Sequence, residues 1–296
     1  MDDTLYSING NIVAPENAVI PVTDRGFLYG DGVFETLHAY GQSLFRLQQH
    51  LDRLNDGMER LCFGERPSQK VLAQWVHDAV ERAAFSEANV RLTVTRGCGP
   101  RGPSVKGPFV PNVIITITHF LRPPDSRFTE GVSAIIASFR RQETAATARL
   151  KTLNYMDQIL AKREADLAGA DEALLLNNAG LLCEGSASNI SLVRNGVVTI
   201  PDPERAGALP GIAQLTALQA ARNLKIPVTV TTLSPWDPAR SDEAFLSGSM
   251  REITPLIKID DSLIGGGKPG PITQMLIAEF RGIIEKECAP FKYPSK

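Results

Sequence analysis

The first forty residues alternate between apolar and polar side chains, a pattern of period two that predicts β-strands. Turn signals at Asn9-Gly10 and at 40–42 divide this part of the chain into two hairpins. The strands that these turns join are 5–8, 12–13, 33–39 and 44–46.

The pattern then changes to spacings of three and four, which place apolar residues on one face of a helix. Leu47, Leu51, Leu54, Met58 and Leu61 form this stripe. A second helix is predicted over 71–84, followed by strands at 90–95 and 113–119. These elements predict a small N-terminal α+β lobe over residues 1–120. Consecutive prolines at 123–124 oppose both helix and sheet, so 121–130 is the expected linker.

Residues 131–296 are expected to form a larger lobe that begins with a strand at 132–139. A helix is predicted after Lys151 and before Gly169, a suitable C-terminal cap. The residues expected on one side of that helix are Leu153, Met156, Leu160, Arg163 and Leu167. Further helices are predicted at 212–223 and 272–285, and strands at 172–176, 190–193, 197–200, 228–232, 243–246 and 256–259.

Composition narrows the classes of function. The 296 residues include 31 Lys and Arg against 33 Asp and Glu, so no basic field favours nucleic acid or a membrane surface. The acidic N-terminus lacks an apolar signal core, which predicts a cytoplasmic protein. Four scattered cysteines, of which Cys62 is expected in the core, predict neither a metal site nor disulfides.

Three segments carry a recognisable chemistry. They are Val22-Thr-Asp-Arg-Gly-Phe-Leu-Tyr-Gly-Asp-Gly-Val-Phe-Glu35, Lys151-Thr-Leu-Asn-Tyr155 and Glu184-Gly-Ser-Ala-Ser-Asn189. Together they resemble the fold type IV enzymes that use pyridoxal 5′-phosphate (PLP), and the resemblance covers nearly the whole chain. That family includes branched-chain, D-amino-acid and (R)-amine aminotransferases and the aminodeoxychorismate lyases. The resemblance implies an α+β fold with a small N-terminal α/β lobe and a larger C-terminal pseudo-barrel lobe.

PLP chemistry requires a lysine for the aldehyde and a charge near the pyridine nitrogen. By resemblance, Lys151 is the catalytic lysine that forms the aldimine. Its place before a predicted helix suggests that the positive end of the helix dipole favours the neutral amine. The resemblance assigns Glu184 to the pyridine nitrogen and Tyr155 to the phenolic oxygen of the cofactor. Tyr155 is expected one turn from Lys151 on the same helix face.

The cofactor phosphate needs hydrogen-bond donors, and helix N-termini supply them. The His-x-x-Arg-Leu pattern resembles the family's phosphate-binding motif at Arg53. Gly211, Ile212 and Ala213 open a predicted helix, although Ala213 stands where the family often has threonine. The remaining residues that the resemblance assigns to the cofactor are Ser186, Asn189, Leu209, Gly248 and Ser249.

The reaction is less defined than the cofactor. The run 247–255 resembles aminotransferases, whereas the run 96–104 and Thr36 resemble the lyases. An aminotransferase that acts on a hydrophobic amino acid or amine and a 2-oxo acid is predicted, with either L or D stereochemistry. Aminodeoxychorismate lyase and a PLP-binding protein without turnover are the alternatives. The predicted substrate-binding residues are Tyr29, Phe34, Thr36, Arg101 and Met250. The Gly/Pro-rich loop 97–108 is expected to reach the site of a second copy, which predicts a homodimer.

Overall fold

The computed structural model describes residues 4–293, which form two compact units. The first unit contains 4–121, 150–154 and 287–293, and the second contains 122–149 and 155–286. The chain thus leaves the first unit within the predicted linker. The segments 150–154 and 287–293 belong to the first unit, although the sequence assigns them to the larger lobe.

The first unit is built on an antiparallel sheet with strand order β2-β1-β6-β5-β3-β4. Its elements in chain order are β1 (Leu5–Ile8), β2 (Asn11–Val13), α1 (Arg25–Tyr29), β3 (Gly32–Tyr40), β4 (Ser43–Leu44), α2 (Leu47–Arg60), α3 (Gln69–Ala83), β5 (Glu87–Thr95) and β6 (Asn112–His119). Both predicted hairpins and both predicted helices are present. Arg46, predicted in a strand, is instead the N-cap of α2, and the short helix α1 was not predicted.

The core of this unit lies between one face of the sheet and the predicted stripe of α2. Leu51, Leu54 and Met58 are each at most 2% exposed and pack with Val33 and Leu37 of β3. Because strand side chains alternate, the even-numbered residues of β3 point away from α2. The prediction that Cys62 lies in the core is wrong. It follows the end of α2 with a φ of 56°, and its side chain is exposed.

The second unit contains a mixed sheet with strand order β12-β11-β10-β13-β14-β7-β8-β9, and β15 pairs with β14. Its elements in chain order are α4 (Ser126–Thr129), β7 (Val132–Arg141), α5 (Met156–Leu167), β8 (Glu172–Asn177), β9 (Leu182–Gly185), β10 (Asn189–Arg194), β11 (Val197–Pro201), α6 (Pro203–Ala206), α7 (Ile212–Asn223), β12 (Val228–Thr231), β13 (Glu243–Gly248), β14 (Glu252–Ile259), β15 (Ser262–Leu263) and α8 (Pro271–Glu287). The short helix α4 lies inside the predicted linker.

Helix α5 differs from its predicted orientation. Ala161 and Ala165 form its buried face, where small side chains let the helix approach β7 and β8 closely. The predicted apolar side is exposed, with Met156 at 64% and Leu167 at 73%. A helix with an alanine face can pack closely while its larger apolar residues face outward. Within residues 4–293, no helix is both long and apolar enough to cross a membrane.

Candidate active site

Lys151 lies in an extended segment beside β3. The Phe34 amide donates to the Lys151 carbonyl over 3.0 Å, and the Leu153 amide donates to the Gly32 carbonyl over 3.0 Å. Since α5 begins only at Met156, the argument from the helix dipole is wrong. Tyr155 is the N-cap of α5, so no helical spacing relates it to Lys151. The backbone of the lysine is instead fixed by pairing with a sheet strand.

The Phe34 ring is the aromatic surface beneath the Lys151 amine. The amine nitrogen lies 4.6 Å from the ring centroid, and the Arg91 guanidinium carbon lies 3.8 Å from the same centroid. Both distances allow cation–π attraction. Thr36 lies on the same strand face as Phe34 and pairs in register with Arg91. Arg91 was not among the predicted site residues, because the sequence predicts strands at 33–39 and 90–95 without showing that they pair.

Arg53 is held by a buried carboxylate, Glu35. The guanidinium donates twice to Glu35, with both contacts at 2.7 Å, and His50 Nδ1 lies 2.7 Å from the same carboxylate. Burial alone would raise the pKa of Glu35, but the charge of Arg53 and the hydrogen bonds from Arg53 and His50 lower this pKa to about 2. Burial lowers the pKa of His50. Arg53 is therefore a cation with a fixed orientation, and its side chain is 14% exposed.

The loop that carries Arg101 is anchored on both sides of that residue. Arg25 Nη1 donates to the carbonyls of Pro100 and Gly102, and the Gly102 amide donates to the Tyr29 hydroxyl over 3.0 Å. Arg101 itself is exposed.

Asp31 in turn holds Arg25. Its carboxylate accepts from the Nε atoms of Arg25 and Arg96, each over 2.8 Å. Burial would raise the pKa of Asp31, but hydrogen bonds from the two arginines and their charges lower it. Arg96 also donates to the carbonyls of Leu61 and Cys62. The loop thus starts from a rigid base of buried ion pairs.

In the second unit, Glu184 on β9 is 6% exposed and has two partners. It forms an ion pair with Arg141 and accepts from the Leu209 amide over 2.9 Å. The Asn189 side chain donates to the Leu209 carbonyl over 2.8 Å. The peptide groups around Leu209 are therefore tied to both Glu184 and Asn189, which the sequence could not show.

Helix α7 begins directly after this anchored segment, as predicted. Its N-cap is Gly211, a residue without a side chain to cap the helix, while Ile212 and Ala213 are 5% and 6% exposed. A Cβ atom on Gly211 would collide with Asn189 Oδ1, so the close approach requires glycine. The first amides of a helix have no partner inside the helix and attract anions. Ala213 adds no hydroxyl to this group.

The turn between β13 and β14 contains three further predicted residues, Gly248, Ser249 and Met250, all half-buried. The Arg251 amide closes the turn by donating to the Gly248 carbonyl over 3.1 Å. The Ser186 hydroxyl, which the sequence also assigns to the cofactor, donates to the buried Glu172.

These donors have the chemistry that PLP requires. The first unit contains a lysine amine and a fixed guanidinium. The second unit, taken by itself, contains a buried carboxylate and a helix N-terminus whose N-cap is glycine. An aldehyde, a pyridine nitrogen and a phosphate are the groups that such donors bind. Among residues 4–293, no cluster of three or more His, Cys, Asp or Glu side chains could hold a metal ion.

Comparison with known proteins defines the class. The family model for amino-transferase class IV matches residues 32–259. An inferred branched-chain-amino-acid aminotransferase of Methanocaldococcus jannaschii is 34% identical, covering 94% of this chain and 96% of that protein. A D-alanine aminotransferase of Listeria monocytogenes is 31% identical over 97% of this chain and 98% of its own length.

Comparison with solved structures supports the same family. The T.th. branched-chain amino acid aminotransferase with pyridoxamine 5′-phosphate has a TM-score of 0.89 at 28% identity, covering 97% of this chain and 96% of that one. The 4-amino-4-deoxychorismate lyase of Pseudomonas aeruginosa has a TM-score of 0.83 at 30% identity, covering 94% and 98%. The fold is therefore fold type IV, with a curled half-barrel sheet. The chain belongs to the class IV aminotransferase family, which confirms the resemblance, and its cofactor is PLP.

Proposed function

We propose that this aminotransferase moves an amino group between a hydrophobic amino acid or amine and a 2-oxo acid, and that Lys151 is its catalytic residue. The observation that carries the assignment is the Lys151 amine 4.6 Å from the Phe34 ring centroid, on a backbone paired with β3. When bound, PLP supplies an electron sink for the charge that develops at the substrate α-carbon.

Lys151 has two tasks in this proposal. Its amine would hold the cofactor through the aldehyde, and as a free amine it would move the proton between the substrate α-carbon and C4′ of the cofactor. Hydrogen bonds to Phe34 and Gly32 fix the backbone on both sides of the lysine. The amine therefore moves by side-chain rotation alone.

Glu184 is the group that keeps a proton on the pyridine nitrogen. The Leu209 amide and Arg141 orient its carboxylate. A carboxylate at this nitrogen strengthens the electron sink because it favours the charged ring. Glu184→Gln is expected to retain the cofactor and to lower the rate.

Phosphate binding is assigned to charge and amide donors. Arg53, oriented by Glu35, supplies the cation, and the amides of Ile212 and Ala213 supply a helix N-terminus. Ser249 supplies the hydroxyl that Ala213 cannot. Tyr155 is assigned to the phenolic oxygen of the cofactor.

The substrate side chain is expected to be apolar because Phe34 and Tyr29 border two glycines, Gly30 and Gly32. The branched-chain and D-alanine aminotransferases among the relatives are named for donors of this kind. Met250 is also assigned to the substrate. Arg91 and Arg101 carry guanidinium groups suited to a substrate carboxylate.

The lyase is the second candidate because Thr36 shares the strand face of Phe34 and the Pseudomonas lyase has the same fold. A half-reaction screen separates the two. Both enantiomers of leucine, alanine and glutamate, with 1-phenylethylamine and aminodeoxychorismate, are mixed singly with the PLP enzyme, and the absorbance change to pyridoxamine phosphate is followed. We expect conversion by leucine or alanine. Pyruvate release from aminodeoxychorismate, with no conversion by any amine, would assign the lyase reaction instead.

A further inference from the structure

A fully buried carboxylate joins two turns of the second unit. Glu172, the first residue of β8, is 0% exposed and accepts from donors on both turns. From one turn come the Ser186 amide, the Ser186 hydroxyl and the Ser188 hydroxyl, the last over 2.7 Å. From the other comes Arg251 Nη2 over 3.1 Å. The Ala173 amide completes the set.

Each turn contains or closely follows a residue that the proposed function assigns to the cofactor. The first turn, 186–188, links Glu184 and Gly185 at the end of β9 to Asn189 at the start of β10. The second, 248–251, contains Ser249 and joins β13 to β14. Asn189 pairs in register with Ser247, so the turns leave neighbouring strands at the same end of the sheet.

The packing leaves little space for either turn to shift. A Cβ atom on Gly185 would collide with the Ser188 hydroxyl and approach Glu172. One on Gly248 would lie 3.2 Å from Arg251 Cγ and 3.3 Å from the Ala187 carbonyl. The Arg251 stem therefore packs against Gly248, close to the first turn.

Arg251 depends on Glu172 because it is itself largely buried. Its side chain is 17% exposed, and Nη1 has no hydrogen-bond partner within residues 4–293. Removing one member of a buried ion pair leaves the other charge uncompensated. Loss of the Glu172 charge is therefore expected to release Arg251 and, with it, the turn that carries Ser249.

We infer that Glu172 is a positioning residue that holds the 186–188 and 248–251 turns together, so that the phosphate donors are in place before the cofactor binds. The inference rests on the proposed assignment of Ser249 to the phosphate. Preorganised donors bind more tightly because less order is lost on binding. The predicted effect is therefore on affinity for the phosphate.

The test compares Glu172→Gln with Glu243→Gln, a matched control in the same unit. Glu243 is 5% exposed and accepts from the Ile272 and Thr273 amides at the start of α8, away from both turns. Each cofactor-free variant is titrated with PLP and with pyridoxal, which lacks the phosphate, and its melting temperature is measured. We expect Glu172→Gln to weaken PLP binding by about ten-fold, the loss of one charge-assisted hydrogen bond, and to leave pyridoxal binding unchanged.

Glu243→Gln should lower the melting temperature and leave both affinities unchanged. Unchanged PLP affinity in Glu172→Gln, or an equal loss for pyridoxal and PLP, overturns the inference. If Glu172→Gln does not fold, the PLP affinities of Arg251→Lys and Ser188→Ala are measured in its place. Weaker PLP binding in either supports the inference, and wild-type PLP affinity in both overturns it.

Ser249→Ala separates this inference from the proposed function. If Ser249→Ala binds PLP as tightly as the wild type, the assignment of Ser249 to the phosphate fails. Weaker PLP binding in Glu172→Gln alone would then show that Glu172 acts on a different phosphate donor. Weaker binding in both variants, with a double variant whose loss of binding free energy is smaller than the sum of the two single losses, supports one shared phosphate site.

Discussion

At the scale of single residues, Arg53 owes its orientation to Glu35. A buried carboxylate is costly unless it is paired, and here a guanidinium and an imidazole both satisfy it. The pairing fixes a planar donor group that could otherwise take many rotamers. The cation that we assign to the cofactor phosphate is therefore positioned by a residue of the neighbouring strand.

The ion pair between Glu35 and Arg53 predicts that acid lowers the stability of the fold. Its pKa is about 2 in the folded protein against an ordinary value of 4.5. Because the pKa of Glu35 is lower in the folded than in the unfolded protein, its ionised form stabilises the fold at pH values above the unfolded pKa. This stabilisation is lost as the pH falls from about 5 towards 2. This difference in pKa corresponds to about 3 kcal/mol in the free energy of unfolding. Urea unfolding at pH 6 and pH 3 should show a smaller decrease in stability for Glu35→Gln than for the wild type. Glu81→Gln, an exposed change on α3, should retain the wild-type decrease.

The assignment of Lys151 predicts which residue a chemical label of the cofactor will mark. Borohydride reduction of the PLP enzyme, followed by peptide mapping, should place the cofactor mass on Lys151, because the amine is held over Phe34. Lys151→Ala should remove turnover and leave the unfolding temperature close to that of the wild type, since the backbone pairing with β3 does not need the side chain. The exposed Lys70→Ala is the control and should retain both activity and label. Label on another lysine would contradict the assignment.

At the scale of elements, α5 and α7 show how similar apolar helices are used differently. Helix α7 buries residues around much of its circumference, including Ile212, Ala217 and Leu218. Helix α5 buries only Ala161 and Ala165 and exposes its larger apolar residues. Close packing of α7 against β13 fixes its N-terminus beside Asn189. The position of the amides assigned to the phosphate follows from that contact.

Gly211→Ala tests this close approach. Its φ of −75° and ψ of 130° suit alanine, so the only cost is the collision of Cβ with Asn189 Oδ1. We expect the variant to lose about 1–3 kcal/mol of stability and to bind PLP more weakly, because Asn189 also holds Leu209. Urea unfolding and PLP titration measure the two effects.

Gly282→Ala in α8 is the matched control for Gly211→Ala. Among residues 4–293, a Cβ atom there has no heavy atom within 4 Å apart from its chain neighbours and the backbone of its own helix. Alanine favours a helix interior over glycine, so a gain of about 0.5–1 kcal/mol is expected with unchanged PLP affinity. If the two variants change stability and PLP affinity equally, the space beside Asn189 does not restrict the size of residue 211.

At the scale of the whole molecule, the first unit exposes a run of apolar side chains before β3. Val19 is 67% exposed, Val22 is 74% and Phe27 is 73%. Exposed apolar residues grouped in one segment favour association. The same segment includes Tyr29, which holds the anchored loop around Arg101. These features support the homodimer that the sequence predicts.

We propose that the active protein is a homodimer, and we expect light scattering to give a mass of twice 32.1 kDa. Phe27→Lys should shift this mass towards one chain because a charge replaces an apolar contact. Trp236→Lys, an equally exposed position in the second unit at 71%, is the control and should leave the mass unchanged. Full activity at a concentration where the mass equals one chain would contradict the proposal.

The sequence by itself determined the local elements and the family. The hairpin at Asn9-Gly10, the stripe of α2 and the start of α7 at Ile212 could be read directly, because turn chemistry and periodicity act between near neighbours. The motifs around Lys151 and Glu184 identified the cofactor because PLP chemistry depends on a small set of residue types.

Tertiary structure alone decided how these residues are held. Lys151 lies beside β3 and not at a helix end, Arg53 is fixed by Glu35, and Arg251 pairs with Glu172 across 79 positions of the chain (251 minus 172). Such contacts depend on which strands become neighbours, and no period in the sequence encodes that choice. The exposed face of α5 has the same cause, since only packing selects between an alanine face and a leucine face.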